Sequence, residues 1–143
     1  MCIRDRAKLY ETGTWNGAPF EIIPFYKYGS LEGKTFSLAQ LKESVIPALN
    51  EGLHALHQKG IIHKDLKPSN IMLCDDQKSV AIIDFGISSI REDGNTIVKT
   101  KTGMTPEYSA PETFKNLYLE ESDYYSLGIT IYELYANLSL IHL

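Results

Sequence analysis

The chain has 143 residues, 43% of them hydrophobic and 22% charged, with a formal net charge of −4 at pH 7. Those values belong to a single globular domain and exclude a disordered or fibrous chain. The mild acidity without any Lys/Arg block argues against nucleic acid or an anionic membrane as partner, and no apolar run approaches the roughly 20 residues of a spanning helix. Cys2 and Cys74 stand far apart without a second pair, so neither a disulfide framework nor a cysteine metal site is expected. With no apolar stretch of a signal peptide at the N-terminus, a reducing cytoplasmic setting is the expectation.

In chain order, Lys8–Thr12 and Pro19–Phe25 are short apolar or aromatic runs on either side of Gly13-Thr-Trp-Asn-Gly17, which predicts two strands joined by a turn. Ser37 then precedes Leu38, Leu41, Val45, Leu49, Leu53 and Leu56 at spacings of three or four, and Gln40 completes a capping box. A long amphipathic helix ending near Gly60 is predicted. Pro47 falls inside it, removes one backbone bond and should kink it, against a nominal cost of about 3 kcal/mol. Ile61-Ile62, Ile71–Leu73 and Val80–Ile83 read as short strands between polar loops, followed by a long polar segment from Ser88 to about Thr105. A last apolar helix is predicted from Asp123 to about Tyr135. There is no internal repeat or low-complexity tract.

Three runs hold most of the distinctive chemistry: His63-Lys-Asp-Leu-Lys-Pro-Ser-Asn70, Asp84-Phe-Gly86 and Thr105-Pro-Glu-Tyr-Ser-Ala-Pro-Glu112. A single Asp among them would ordinarily be a solvated turn residue; their joint occurrence in this order is what discriminates. Together they resemble the catalytic loop, metal-binding loop and end of the activation segment of eukaryotic-type serine/threonine protein kinases. The resemblance covers nearly everything from Lys8 to Tyr135. It implies an α+β protein-kinase-like fold, ATP and Mg²⁺ as cofactors, and a protein substrate offering Ser or Thr hydroxyls.

Phosphoryl transfer asks a protein for in-line positioning and for positive charge near the phosphate oxygens. By resemblance, Asp65 would accept the proton of the substrate hydroxyl, Lys67 would place a point charge by the transferred phosphate, and Asn70 and Asp84 would supply hard oxygen ligands to Mg²⁺. His63 would pack beneath Phe85 of Asp84-Phe85-Gly86 and not act as acid or base. Asp123 would hold the catalytic-loop backbone, a role it can combine with a helix N-cap. His54 and His57, on the long helix without metal-ligand partners, read as ordinary helix residues. The resemblance also puts Ile23 at the gatekeeper position and Pro24 to Tyr26 in the hinge. There the adenine needs the carbonyl of Pro24 and the N–H of Tyr26, and Met72 would lie beneath the base.

Lys67-Pro68 and Thr105-Pro-Glu-Tyr108 match the serine/threonine form, with Thr105 expected to hydrogen-bond toward Asp65 and Lys67. Two residues depart from the pattern. Lys64 stands where many kinases have arginine, which keeps the charge but loses the planar fork, so control through Thr96, Thr100 or Thr102 is left open. Met104 replaces the glycine usual before the substrate-loop threonine. Glu112 ordinarily pairs with an arginine of later helices.

No G-x-G-x-x-G run occurs in the chain, and neither the strand lysine nor its helix glutamate can be placed. Met1–Arg6 (MCIRDR) is what ATG-TGT-ATA-AGA-GAC-AGx encodes, which resembles a transposase adapter, and Leu138–Leu143 (LSLIHL) resembles its opposite strand. The expected organisation is therefore residues 1–6 and 138–143 as adapter-like scars around a partial kinase domain, 7–137. Within it, 7–31 would end the small lobe and hinge, and 32–137 would form the large lobe through its central helix. The chain alone is expected to be inactive. A pseudokinase or scaffold, and a small-molecule kinase on a related fold, are the alternatives; the oligomeric state is not legible.

Overall fold

The computed structural model describes residues 10–84, 89–90 and 104–136. It opens with a hairpin, β1 (Glu11–Trp15) against β2 (Ala18–Ile22), in a register that sets Trp15 opposite Ala18. The turn is shorter than the sequence suggested. Only Asn16 and Gly17 lie outside the strands, with φ of 50° and 80°, the left-handed pair that a two-residue hairpin turn requires. Gly13 and Trp15 therefore belong to β1, and a side chain at Gly13 would collide with the Phe20 ring, 2.7 Å from an ideal Cβ.

The Ser37 capping box forms: the Gln40 N–H donates to Ser37 Oγ at 3.2 Å, and the Ser37 N–H donates to Gln40 Oε1 at 2.9 Å. The predicted single helix is built in three pieces, α1 (Leu38–Gln40), a π-helical turn (Leu41–Val45) and α2 (Ile46–His57). Pro47 explains the division. An α-helical path would press its ring on the carbonyl of Glu43, four residues back. The wider turn, in which the Ile46 N–H reaches Leu41 O, absorbs the disturbance just ahead of the proline.

Past Gly60 the chain forms β3 (Ile61–Ile62), β4 (Ile71–Leu73) and β5 (Val80–Ile82); β4 and β5 pair antiparallel, and β3 pairs with β6 (Ser89–Ile90). The last helix, α3 (Glu120–Ala136), starts three residues before the expected Asp123. Leu41, Val45, Leu49 and Leu53, four apart, line one face of the helical run and meet Leu31, Leu66, Ile71 and Val80 in the core, with Leu127 and Leu134 from α3. Each buried leucine contributes about 1.5–3 kcal/mol. Cys74 is buried and is not a free thiol, which the sequence reading did not anticipate. Among the described residues no helix is long and apolar enough to cross a membrane. The expected scars and the Asp84-Phe85-Gly86 residues beyond Asp84 lie outside the described residues, as do Thr96, Thr100 and Thr102.

Ser37→Ala removes the acceptor for one helix-terminal N–H, so unfolding free energy should fall by about 1 kcal/mol. Urea titration followed by circular dichroism measures it; an unchanged midpoint would show that tertiary packing alone starts the helix.

Candidate active site

The site is organised from beneath by one buried carboxylate. Asp123, 1% exposed, sits in the first turn of α3 and is not its cap. Its Oδ1 accepts the Lys64 N–H at 2.9 Å; its Oδ2 accepts the His63 N–H at 2.9 Å and faces His57 Nε2 at 2.9 Å. Lys64 has a φ of 72°, a left-handed conformation that costs an ordinary residue roughly 1–2 kcal/mol. Two successive amides converge on the carboxylate through this turn, and charge-assisted bonds of that kind can offset the strain.

His57, which the sequence suggests is an ordinary helix residue, is instead a buried partner of Asp123. It continues the series Leu41, Val45, Leu49, Leu53 by four, so a polar ring falls on the buried stripe and has to find a partner there. That displaced periodicity was the available signal. Its Nδ1 is buried without a hydrogen bond among the described residues, 4.0 Å from Glu120 Oε2. The ring meets Tyr124 edge-on at 5.4 Å.

His63 is fully buried. Its Nδ1 accepts the Asp65 N–H at 3.3 Å, so the proton is on Nε2, which donates to Ile83 O at 3.0 Å. Both ring nitrogens are thus engaged in joining the loop to the end of β5. The partner expected above it, Phe85, lies outside the described residues.

Asp65 gathers the polar groups the sequence singled out. Its Oδ2 lies 3.1 Å from Lys67 Nζ and accepts from Asn70 Nδ2 at 3.2 Å. Its Oδ1 accepts from both the N–H and the Oγ1–H of Thr105, at 3.2 and 2.9 Å. Lys67 Nζ also donates to Thr105 Oγ1 at 2.7 Å. The side chains of Asp65 and Lys67 are 10% and 22% exposed, open enough to be reached yet screened from bulk water.

Asn70 is oriented by donating its amide to Asp65 O at 2.8 Å as well as to the carboxylate. Both bonds use the NH₂ end, so the amide oxygen points elsewhere. The Ile83 N–H donates to Asn70 O at 2.9 Å, bringing the next residue, exposed Asp84 with φ 63°, beside Asn70. One amide oxygen and one carboxylate are donors that suit Mg²⁺. Among the described residues no group of three or more His, Cys, Asp or Glu is placed to hold a metal ion by itself. The donor set thus fits a metal that takes its remaining ligands from phosphate and water.

The hinge candidates follow β2. Ile23 is 38% exposed, and Pro24 and Tyr26 are half-buried. Tyr26 O accepts the Gly29 N–H at 2.9 Å, closing a turn, after which Gly29 to Leu31 runs antiparallel to β4 with Ser30 opposite Met72. Met72 is thereby placed, half-buried, next to the strand that leaves the hinge. Burial, with a smaller contribution from Tyr10, raises the Tyr26 phenol above its ordinary value.

The Thr105–Glu112 run forms two short 3₁₀ turns, Pro106–Tyr108 and Pro111–Lys115. The Tyr108 hydroxyl donates to Glu133 on α3, and burial followed by that carboxylate pushes the phenol well above its usual range. Glu112 Oε1 accepts the Ser122 hydroxyl at 2.6 Å, which holds its carboxyl below the usual range. Its visible partner is therefore a serine at the head of α3. The Tyr108–Glu133 pair was not legible in advance, since nothing local marks residues 25 apart as partners.

A family model described as "Protein kinase domain" matches residues 21–142. The chain is 36% identical over 136 residues to the CBL-interacting serine/threonine-protein kinase 8 of Arabidopsis thaliana, covering 91% of this chain and 30% of the relative. It is 32% identical to the SNF1-related protein kinase catalytic subunit alpha KIN12 of the same plant, covering 80% and 24%. To the interferon-induced, double-stranded RNA-activated protein kinase of Rattus norvegicus it is 44% identical, over 58% of this chain and 16% of the relative. The chain thus spans less than a third of the length of these relatives.

Asp123→Ala leaves three buried donors without their acceptor, at about 1–3 kcal/mol for each unsatisfied group. Unfolding free energy should fall by at least about 3 kcal/mol on that basis, and by less in Asp123→Asn, which keeps one oxygen. Urea unfolding decides this; a loss below about 1 kcal/mol would mean that the loop holds its own turn.

Proposed function

The chain belongs to the protein kinase family, and from that premise we propose that the protein carrying it phosphorylates serine and threonine hydroxyls of other proteins, using ATP and Mg²⁺. The observation that supports this most directly is the Asp65 carboxylate facing both Lys67 Nζ at 3.1 Å and Thr105 Oγ1 at 2.9 Å. An acceptor oxygen, a cation and a hydroxyl-bearing loop share one place, which is what in-line transfer to an alcohol needs.

Asp65 would accept the proton of the incoming hydroxyl as that oxygen bonds to the phosphorus and the bond from the phosphorus to the bridging oxygen of the departing ADP breaks, and Lys67 would lie beside the charge that builds on the transferred group. Asn70 and Asp84 would hold the metal. When bound, Mg²⁺ and ATP supply the phosphoryl group and the charge that offsets its oxygens. Pro24 O and the Tyr26 N–H would take the adenine, with Ile23 as the gatekeeper and Met72 beneath the base. Serine/threonine preference rests on Lys67 and Thr105 meeting at 2.7 Å and on the names of the relatives. The 143-residue chain by itself is inactive in this reading, because it has no G-x-G-x-x-G run to cover the phosphates.

Incubation of the full-length gene product with radiolabelled ATP, Mg²⁺ and a mixed peptide library should yield phosphoserine and phosphothreonine. Asp65→Asn should lower kcat by about 10²- to 10⁴-fold with nucleotide binding retained. Phosphotyrosine as the sole product, or undiminished transfer by Asp65→Asn, would overturn the assignment. Transfer by the 143-residue chain alone would overturn its inactivity only.

A further inference from the structure

Lys64 takes no part in the transfer set just described, yet it is held unusually. Its backbone adopts the left-handed turn, and the residue is 8% exposed although it carries an ammonium group. Burial lowers its pKa below the ordinary lysine value, with Asp123 acting in the opposite sense. The Nζ lies 4.5 Å from the centroid of the Tyr118 ring, within the range in which a cation is attracted to an aromatic face. Tyr118 is itself 8% exposed. Its hydroxyl donates to Met104 Sδ at 3.8 Å, and Met104 immediately precedes Thr105, whose N–H and Oγ1–H both end on Asp65 Oδ1.

The contacts form a closed circuit. From Lys64, whose N–H is held by Asp123, they run by the ammonium across the Tyr118 ring to Met104, through Thr105 to Asp65, and by the backbone back to Lys64. The catalytic loop and the substrate loop are 40 residues apart at Asp65 and Thr105, and this circuit joins them a second time, behind the carboxylate. Lysine suits the place because a single compact charge on a flexible stem can turn from the strained backbone onto the ring, with no need of a planar anion partner.

We propose that Lys64 is a positioning residue whose ammonium, docked on the Tyr118 face, clamps the substrate loop to the catalytic loop and so fixes Thr105 against Asp65. The inference rests on the reading of Asp65 as the proton acceptor for transfer. Its consequence is that both departures from the family pattern, Lys64 and Met104, belong to one contact.

The test is a double-mutant cycle in the full-length gene product with Lys64→Met, Tyr118→Leu and the pair combined, and with Lys64→Arg and Tyr118→Phe as conservative variants. A desolvated cation–ring contact predicts a loss in kcat of about 2- to 30-fold for each disruptive single variant, with the KM for ATP unchanged. The double variant should be no worse than the more damaging single. Lys64→Arg, which keeps the cation, should restore most of the loss, whereas Tyr118→Phe, which keeps the ring face but loses the hydroxyl bond to Met104, should fall between the wild type and Tyr118→Leu. Losses that multiply in the double variant, or conservative variants as damaged as the disruptive ones, would overturn the proposal. The same cycle read by thermal unfolding separates the two readings. If the wild type transfers no phosphate, the proposed function fails, while non-additive unfolding shifts still support the contact and additive ones overturn it.

Discussion

The site depends on Asp123 more than on any residue of the catalytic loop itself. A carboxylate at 1% exposure needs its lone pairs occupied, and three donors at 2.9 Å do that. In return, the Lys64 backbone is kept in a conformation it would otherwise leave. The direction in which Asp65 projects follows from that turn, because Asp65 is the next residue. From His63 to Lys67 the loop has no regular secondary structure to aim its side chains; a buried charge from another element supplies the aim.

This requirement explains the unusual composition of α3. Its buried residues include Ser122, Asp123, Ser126, Thr130 and Glu133, while Tyr124, Tyr125, Tyr132 and Tyr135 are exposed. The helix turns polar groups inward because it serves as a post to which loops are tied: Asp123 takes the catalytic loop, Glu133 takes Tyr108, and Ser122 takes Glu112. Leu127 and Leu134, with half-buried Ile131 packed beside them, anchor it in the main apolar core. Hydrophobic patterning located this helix from its Leu and Ile content but gave its start three residues late, since its first turn is Glu120, Glu121, Ser122 and Asp123. Acidic residues favour a helix N-terminus for electrostatic reasons that an apolar period does not register.

What could be read in advance was what is local in the chain. The Ser37–Gln40 capping box spans three residues and forms with both bonds. The His63–Asn70 run is contiguous, and its order alone drew attention to Asp65, Lys67 and Asn70. The division of the long helix was legible only as a disturbance at Pro47, because steric conflict with a carbonyl can be relieved by a kink or by a π turn, and the choice is made by packing. His57 was misjudged because no local motif names its partner 66 residues away. Lys64 and Tyr118 pose the same difficulty, since a lysine and a tyrosine are common enough that only geometry pairs them.

The Asp65 carboxylate raises a last point about how such a site works. An ionised carboxylate has about four lone-pair directions. Here Thr105 N–H, Thr105 Oγ1–H, Lys67 Nζ and Asn70 Nδ2 all approach it, at 3.2, 2.9, 3.1 and 3.2 Å. A fifth donor, such as the substrate hydroxyl of the proposed reaction, would be accepted only when one of these yields. The two contacts at 3.2 Å are at the long end for a hydrogen bond, and Asn70 keeps a second anchor at Asp65 O, 2.8 Å away. Asn70 can therefore release the carboxylate without losing its place, whereas Lys67 stays tied through Thr105 Oγ1 at 2.7 Å. On the proposed reading of Asp65 as proton acceptor, long bonds of this kind would keep the carboxylate both satisfied and available.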